Sequence, residues 1–220
     1  MKLFDSDPKG LILFADNHII LASKQAGELT QPVNPKDPSL EKRVKDWMKK
    51  HYEKKGDVFC HVIHRLDKPV SGIVLFAKTS KALARLNQMQ KEKKFLKVYV
   101  ACVEGVMQQE SGSLCHYLCH EEFHSEVVQP HTPHAQQAIL DYRVLERTHD
   151  TTRVAITLST GRYHQIRAQF AAIGHPIVGD RKYGAKRSYH PDKIMLHHAQ
   201  MAFTHPVTQE PIDIHVDPEF

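Results

Sequence analysis

The sequence has no long apolar run. None of its segments approaches the roughly 18 consecutive apolar residues that a membrane-spanning helix needs, and the opening residues MKLFDSDPKG lack the apolar core of a secretory signal peptide. We therefore expect a cytoplasmic protein without a membrane partner. Cysteine is also scarce, with four among 220 residues and no spacing typical of a secreted disulfide scaffold. The four cysteines are expected to be free thiols.

Two common catalytic motifs are missing as well. The chain has no glycine-rich phosphate-binding loop and no G-x-S-x-G nucleophile elbow. Nucleotide-driven transfer and serine hydrolysis therefore have no support.

Positive charge is in modest excess. The 30 Lys and Arg residues outnumber the 25 Asp and Glu residues by 5, and 17 histidines can add positive charge just below neutral pH. This balance favours a polyanionic partner such as a nucleic acid, although many basic proteins bind none.

The apolar pattern predicts a mixed fold. Helices are expected after Ser39 (ending at Gly56), after Thr79 or Ser80, and across residues 163–173, where apolar residues recur at intervals of three and four. Strands are expected within residues 11–24 (two strands), 72–78, 95–103, 138–146, 153–159, 196–203 and 212–216. Without regular βαβ alternation, this order of elements indicates the α+β class.

Asp67 lies in an unusual charge cluster, in the stretch VIHRLDKPVSGIVLFAK (residues 62–78). A carboxylate beside an apolar strand is costly unless a cation keeps it ionised, and Arg167 lies on the flank of the third predicted helix. If the two side chains meet, Asp67 stays charged and becomes a candidate nucleophile. The alternative is a turn aspartate that bonds its own backbone.

A second cluster lies in residues 115–124, CHYLCHEEFH. On a helix, Cys115 with Cys119 and His120 with His124 would form two pairs of metal ligands. Zinc sites usually join two such pairs across a longer spacer. A histidine-rich surface segment with two free thiols is therefore preferred, and a metalloenzyme centred here is kept as a minor alternative.

Three segments resemble, in order and spacing, signatures of the RluA-type pseudouridine synthases. They are HRLDKPVSGIVLFAK (64–78), KVYVACVEG (97–105) and TGRYHQIRAQFAAIGHPIVGDRKYG (160–184). Residues 16–27 (DNHIILASKQAG) and 196–212 (LHHAQMAFTHPVTQEPI) resemble the family's N-terminal and C-terminal stretches. The resemblance therefore covers nearly the whole chain.

The resemblance implies an enzyme that isomerises uridine in ribosomal RNA or tRNA to pseudouridine, without a cofactor or metal. Its catalytic residues would be Asp67, Tyr99 and Arg167, with Arg65 stabilising the extruded RNA and Ile166 and Leu196 lining the uracil pocket. It also implies a mixed, largely antiparallel sheet with flanking helices and a central cleft. We expect one catalytic domain over residues 1–220, no separate RNA-binding domain before it, and a monomer with no protein partner.

The chain departs from the family pattern at a few positions. Many members have Thr where this chain has Val70 and Tyr163, and a Lys-Pro pair where it has Lys24-Gln25. None of these is one of the three catalytic positions, so the departures bear on substrate choice. The alternative function is a catalytically silent RNA-binding protein of the same fold, acting in ribosome or tRNA maturation.

Overall fold

Residues 10–220 are described by a computed structural model, in which the chain divides into two units. The first unit contains residues 10–95 together with Gln200–Asp217, and the second contains Leu96–Ala199 with Pro218–Phe220. No helix within residues 10–220 is long and apolar enough to cross a bilayer. The single catalytic domain predicted from the sequence stays a prediction.

The first unit is a sheet covered by helices. Its elements are β1 (Ile12–Ala15), β2 (Ile19–Lys24), α1 (Leu40–His51), β3 (His61–Val62), β4 (Ser71–Ala77) and α2 (Ser80–Lys91). Strand β2 lies between β1 and β4 and is antiparallel to both. Because β4 is buried along almost its whole length, Leu75 and its neighbours form the centre of a core that also contains Leu86 of α2.

The predicted helix caps are confirmed in this unit. The Ser39 hydroxyl accepts a hydrogen bond from the Lys42 amide at the start of α1, and the Thr79 hydroxyl accepts one from the Ala82 amide at the start of α2. Each hydroxyl satisfies an amide that has no partner within the helix. Helix α1 ends at His51, before the predicted Gly56, because Glu53 adopts a left-handed conformation (φ 51°).

The second unit is built on an antiparallel sheet. Its elements are β5 (Leu96–Glu104), β6 (Ser111–His120), β7 (Ser125–Val128), β8 (Gln136–Arg147), β9 (Thr151–Leu158), α3 (Gln165–Ala172), a 3₁₀ turn (Arg181–Tyr183) and the start of β10 (Leu196–Thr204). The sheet order is β5-β9-β8-β6-β7. Strand β10 continues into the first unit, where it pairs with β11 (Pro211–His215).

The α+β prediction is confirmed, with three α-helices and a mixed sheet within residues 10–220, but the predicted start of the third helix is wrong. The helix considered for residues 115–124 is not formed: Cys115, Cys119 and His120 lie on strand β6, whose residues 111–118 form a ladder with β8. The third helix begins at Gln165 and not at Tyr163, because His164 has a left-handed conformation (φ 51°). Tyr163 therefore lies on the loop before α3.

The Leu75→Ala change tests the position of the core. Leu75 is fully buried in β4, so the substitution should lower the free energy of unfolding by about 2–5 kcal/mol through lost apolar contact and a residual cavity. Urea unfolding followed by circular dichroism measures this change. The exposed Val33, changed to Ala, should shift the same quantity by less than about 0.5 kcal/mol. Equal effects of the two substitutions would contradict this core.

Candidate active site

Asp67 lies on a tight turn between β3 and β4. The Val70 amide donates to the Asp67 carbonyl (3.1 Å), which closes the turn. The preceding residue, Leu66, is fixed by a residue outside the turn. The Thr30 hydroxyl donates to the Leu66 carbonyl (2.8 Å) and accepts from the Leu66 amide (3.1 Å). The turn therefore has little freedom to move Asp67.

The buried Lys24 side chain also stabilises this turn. Its side chain is only 1% exposed, and its ammonium group donates to the carbonyls of Val70 (2.6 Å), Lys68 (3.1 Å) and Gln25 (3.1 Å). Burial lowers the pKa of Lys24 to about 8, against the attraction of the negative charges on Glu28 and Asp67. At neutral pH the ammonium is therefore mostly protonated and adds positive charge close to Asp67. In the sequence, Lys24 was noted only as part of Lys24-Gln25, where many family members have Lys-Pro. Its role in the turn was not predicted.

Arg167 on α3 forms a buried ion pair with Asp180. The guanidinium donates from Nε to Asp180 Oδ2 (2.6 Å) and from Nη2 to Asp180 Oδ1 (2.9 Å), and it lies 5.0 Å from the centroid of the Tyr183 ring. Both side chains are nearly inaccessible to solvent. Asp180 was not predicted as a partner of this cation. The pairing of Arg167 with Asp67 stays a prediction.

Asp180 could have been noticed in the sequence. It is the one acidic residue in the strongly basic stretch 180–187, within a segment that already carried the family resemblance. A lone carboxylate among cations is usually solvated, so composition alone did not distinguish it.

His164 forms a hydrogen bond with the remaining side of the Arg167 guanidinium. Its Nε2 lies 2.9 Å from Arg167 Nη1, and its Nδ1 lies 2.9 Å from the Tyr183 hydroxyl. Arginine can only donate, so Nε2 must accept and Nδ1 must carry the proton. Burial, reinforced by the positive charges of Arg167 and Lys182, lowers the pKa of His164 to about 3. The imidazole is therefore neutral.

The remaining predicted residues divide between the two units. Tyr99 is buried on β5 with its ring stacked on His198, the centroids lying 4.5 Å apart at an interplanar angle of 18°. Ile166 and Leu196 are buried in the same unit as Tyr99 and Arg167. Arg65 is exposed beside Asp67 in the first unit. Their roles in binding RNA stay predictions.

The cysteine and histidine segment gives no support to a metalloenzyme. Across residues 10–220, no three His, Cys, Asp or Glu side chains are grouped so that they could hold a metal ion. His120 instead contacts the Tyr163 ring, and His124 pairs with Glu126 (2.8 Å). Cys115 and Cys119 are both free thiols on β6.

Comparisons with known proteins agree with the resemblance. A family model described as RNA pseudouridylate synthase matches residues 18–172. The chain is 34% identical over 231 residues to the dual-specificity RNA pseudouridine synthase RluA of Pasteurella multocida, which covers 98% of this chain and 96% of that protein. The protein of the same name from Vibrio cholerae is 33% identical over 203 residues, covering 91% of this chain and 79% of its own length.

A solved structure is similar in fold. Human RNA pseudouridylate synthase domain containing 4 superposes with a TM-score of 0.78 at 20% identity, covering 96% of this chain and 91% of that one. At this identity the similarity concerns the fold alone.

The Asp180→Asn change tests the buried ion pair. The substitution removes the Asp180 charge that accompanies the buried Arg167 guanidinium, so the free energy of unfolding should fall by about 3–5 kcal/mol. Thermal and urea unfolding measure the loss. Asp213→Asn is the control, because Asp213 pairs with His215 at an exposed position and should contribute less than about 0.5 kcal/mol. A loss no larger than that of the control would show that Asp180 does not stabilise Arg167.

The titration of His164 tests the direction of the hydrogen bonds. Because the pKa is lowered to about 3 in the folded protein, its contribution to stability is complete above the unfolded value of about 6.5 and is lost as pH falls towards 3. In NMR spectra the His164 ring resonances, assigned with a His164→Gln variant, should not titrate between pH 8 and 5. A peptide spanning residues 160–167 should titrate near pH 6.5. Titration of His164 in the folded protein near that value would contradict the assignment.

Proposed function

Since the chain belongs to the RNA pseudouridylate synthase family, we propose that it isomerises a uridine of ribosomal RNA or tRNA to pseudouridine, with Asp67 as the nucleophile. The observation that carries the proposal is the pair of buried cationic networks around Lys24 and Arg167, which both lie in segments that resemble the family. The names of both bacterial relatives describe RNA pseudouridine synthases, which supports an RNA substrate.

The reaction rearranges one nucleotide without net loss or gain of atoms. The bond between ribose C1′ and uracil N1 breaks, the base turns, and C1′ joins C5. N1 gains a proton and C5 loses one, so the product is an isomer of the reactant and no external oxidant or phosphate donor is consumed. The target base must first leave its stack, at a cost of a few kcal/mol that is smallest in loops and irregular helices.

Asp67 would attack the ribose or the base as a carboxylate. Its turn is held by Lys24 and Thr30, which keeps the nucleophile in one position, and the Lys24 ammonium places a buried positive charge in the same turn. Arg167 would supply a second positive charge that cannot be lost, because a guanidinium stays protonated at every relevant pH.

The other predicted residues would bind the extruded nucleotide. Tyr99 would stack on the uracil and take part in proton transfer, with its ring plane fixed by His198. Ile166 and Leu196 would provide apolar walls for the base. Arg65, exposed at the Asp67 turn, would contact the RNA and stabilise the extruded state.

Asp67→Asn should abolish conversion. Replacing the carboxylate removes the nucleophile while keeping its shape, so the rate of pseudouridine formation should fall by at least about 10³-fold. The measurement is a pseudouridine map of total RNA from cells without the gene, after incubation with each purified protein. Asp46→Asn, at an exposed position on α1, should convert the RNA as the unchanged protein does.

The same experiment separates the alternative function. If the unchanged protein binds this RNA but forms no new pseudouridine, the catalytically silent RNA-binding protein is favoured. If Asp67→Asn retains conversion, the assignment of the nucleophile is wrong.

A further inference from the structure

We infer that a groove beside Tyr163 binds an unstacked RNA base next to the target uridine, with Tyr163 as the stacking platform; this rests on the proposed function. The groove has a volume of about 370 Å³ and lies within the second unit, between β6, the start of β8 and the loop before α3. Its side chains include His120, His134, Gln136, Arg162 and Tyr163. The volume lies in the ~300–1,000 Å³ range of small-molecule sites, so one base fits.

Tyr163 is exposed but held rigidly. The residue is 42% exposed, yet its ring stacks on that of His164 with centroids 3.9 Å apart at 18°, and the His120 ring packs against it at 4.4 Å and 70°. The Ser125 hydroxyl donates to the Tyr163 carbonyl (2.7 Å), which ties the loop to β7. An exposed aromatic ring that is already ordered loses little entropy when a base stacks on it.

The charges around the groove suit a nucleic acid. Among the lining side chains Arg162 is cationic, two are histidines and none is a carboxylate. Arg162 is exposed, and its Nε donates to the Gln137 carbonyl (3.1 Å), which anchors the guanidinium at the groove. Nearby, Lys182 adds a cation through its bond to the Phe123 carbonyl (2.8 Å). The acidic residues of this hairpin, Glu121, Glu122 and Glu126, lie outside the lining.

The His164 side chain lies between Tyr163 of the groove and Arg167. His164 stacks on Tyr163 and accepts a hydrogen bond from Arg167, so the three residues form a continuous layer. Extruding the target uridine leaves its neighbours without a stacking partner. A neighbouring base that stacks on Tyr163 would recover part of this lost energy, because base–aromatic stacking depends little on sequence. The Tyr at this position, where many family members have Thr, makes the platform a feature of this chain.

Binding of a single-stranded probe tests the platform. The probe is a fluorescein-labelled oligouridylate of about 10 nucleotides, within the ~4–16 nucleotides of single-strand sites, compared with a chain of equal length that lacks bases. Fluorescence anisotropy should show that Tyr163→Ala weakens oligouridylate binding about 5- to 150-fold and leaves binding of the abasic chain unchanged. Tyr163→Phe should retain the affinity of the unchanged protein.

Phe59→Ala is the matched control. Phe59 is 40% exposed and contacts His61 at 4.4 Å, so its removal also deletes an exposed ring lying against a histidine, but in the first unit. It should leave the affinity for both probes unchanged, and thermal unfolding should show that the Tyr163 variants remain folded.

Two outcomes would overturn the inference. Tyr163→Ala could bind oligouridylate as tightly as the unchanged protein, or it could lose affinity for both chains by the same factor. Because the readout is binding alone, it separates this inference from the proposed catalysis. Suppose that the unchanged protein forms no pseudouridine but that Tyr163→Ala weakens oligouridylate binding as predicted. The proposed catalysis would then be refuted, and the base-binding groove would be supported.

Discussion

The buried ion pair between Arg167 and Asp180 is the interaction on which the second unit's site depends. Two charges removed from water are tolerated only when their geometry is good and their remaining donors have partners. Here two parallel hydrogen bonds join them, and His164 accepts from the third edge of the guanidinium. Because arginine can only donate, His164 Nε2 must accept from it, so this nitrogen carries no proton. Arg167 thus determines which nitrogen of its histidine neighbour is protonated.

The position of this pair follows from the way α3 is held. The helix is only eight residues long, and its first six are buried, so it is not an amphipathic surface helix. Gln169 supplies the attachment, because its side-chain amide donates to the carbonyls of Leu114 on β6 and Ala138 on β8. His164, in a left-handed conformation, stands between Tyr163, which is exposed, and α3, on which Arg167 is buried. The exposed ring and the buried charge therefore flank one local backbone conformation.

Local patterns predicted the parts of the fold that depend on neighbouring residues. The caps at Ser39 and Thr79 need only a hydroxyl three residues before an amide. The run of β-branched and apolar residues around Leu75 is typical of a strand buried on both faces, which is where it lies. Strand β6 was missed because its alternation is weak and cysteines and histidines occupy it, so its partner β8 decides its conformation. Asp180 was missed for the same reason, since its partner lies thirteen residues away on another element.

The two cationic networks differ in a way that matters for the proposed chemistry. Lys24 carries three donors to three backbone carbonyls, so its charged form is stabilised by hydrogen bonds while burial opposes it, and its pKa falls to about 8. Arg167 differs, because its guanidinium stays protonated and forms two hydrogen bonds with the Asp180 carboxylate. Lys24 is therefore suited to holding a backbone turn, where point-like donors meet carbonyls at several angles, and Arg167 to presenting a fixed planar charge. Under the proposed function, Lys24 would fix the position of the Asp67 turn and Arg167 would supply a permanent positive charge to the reaction.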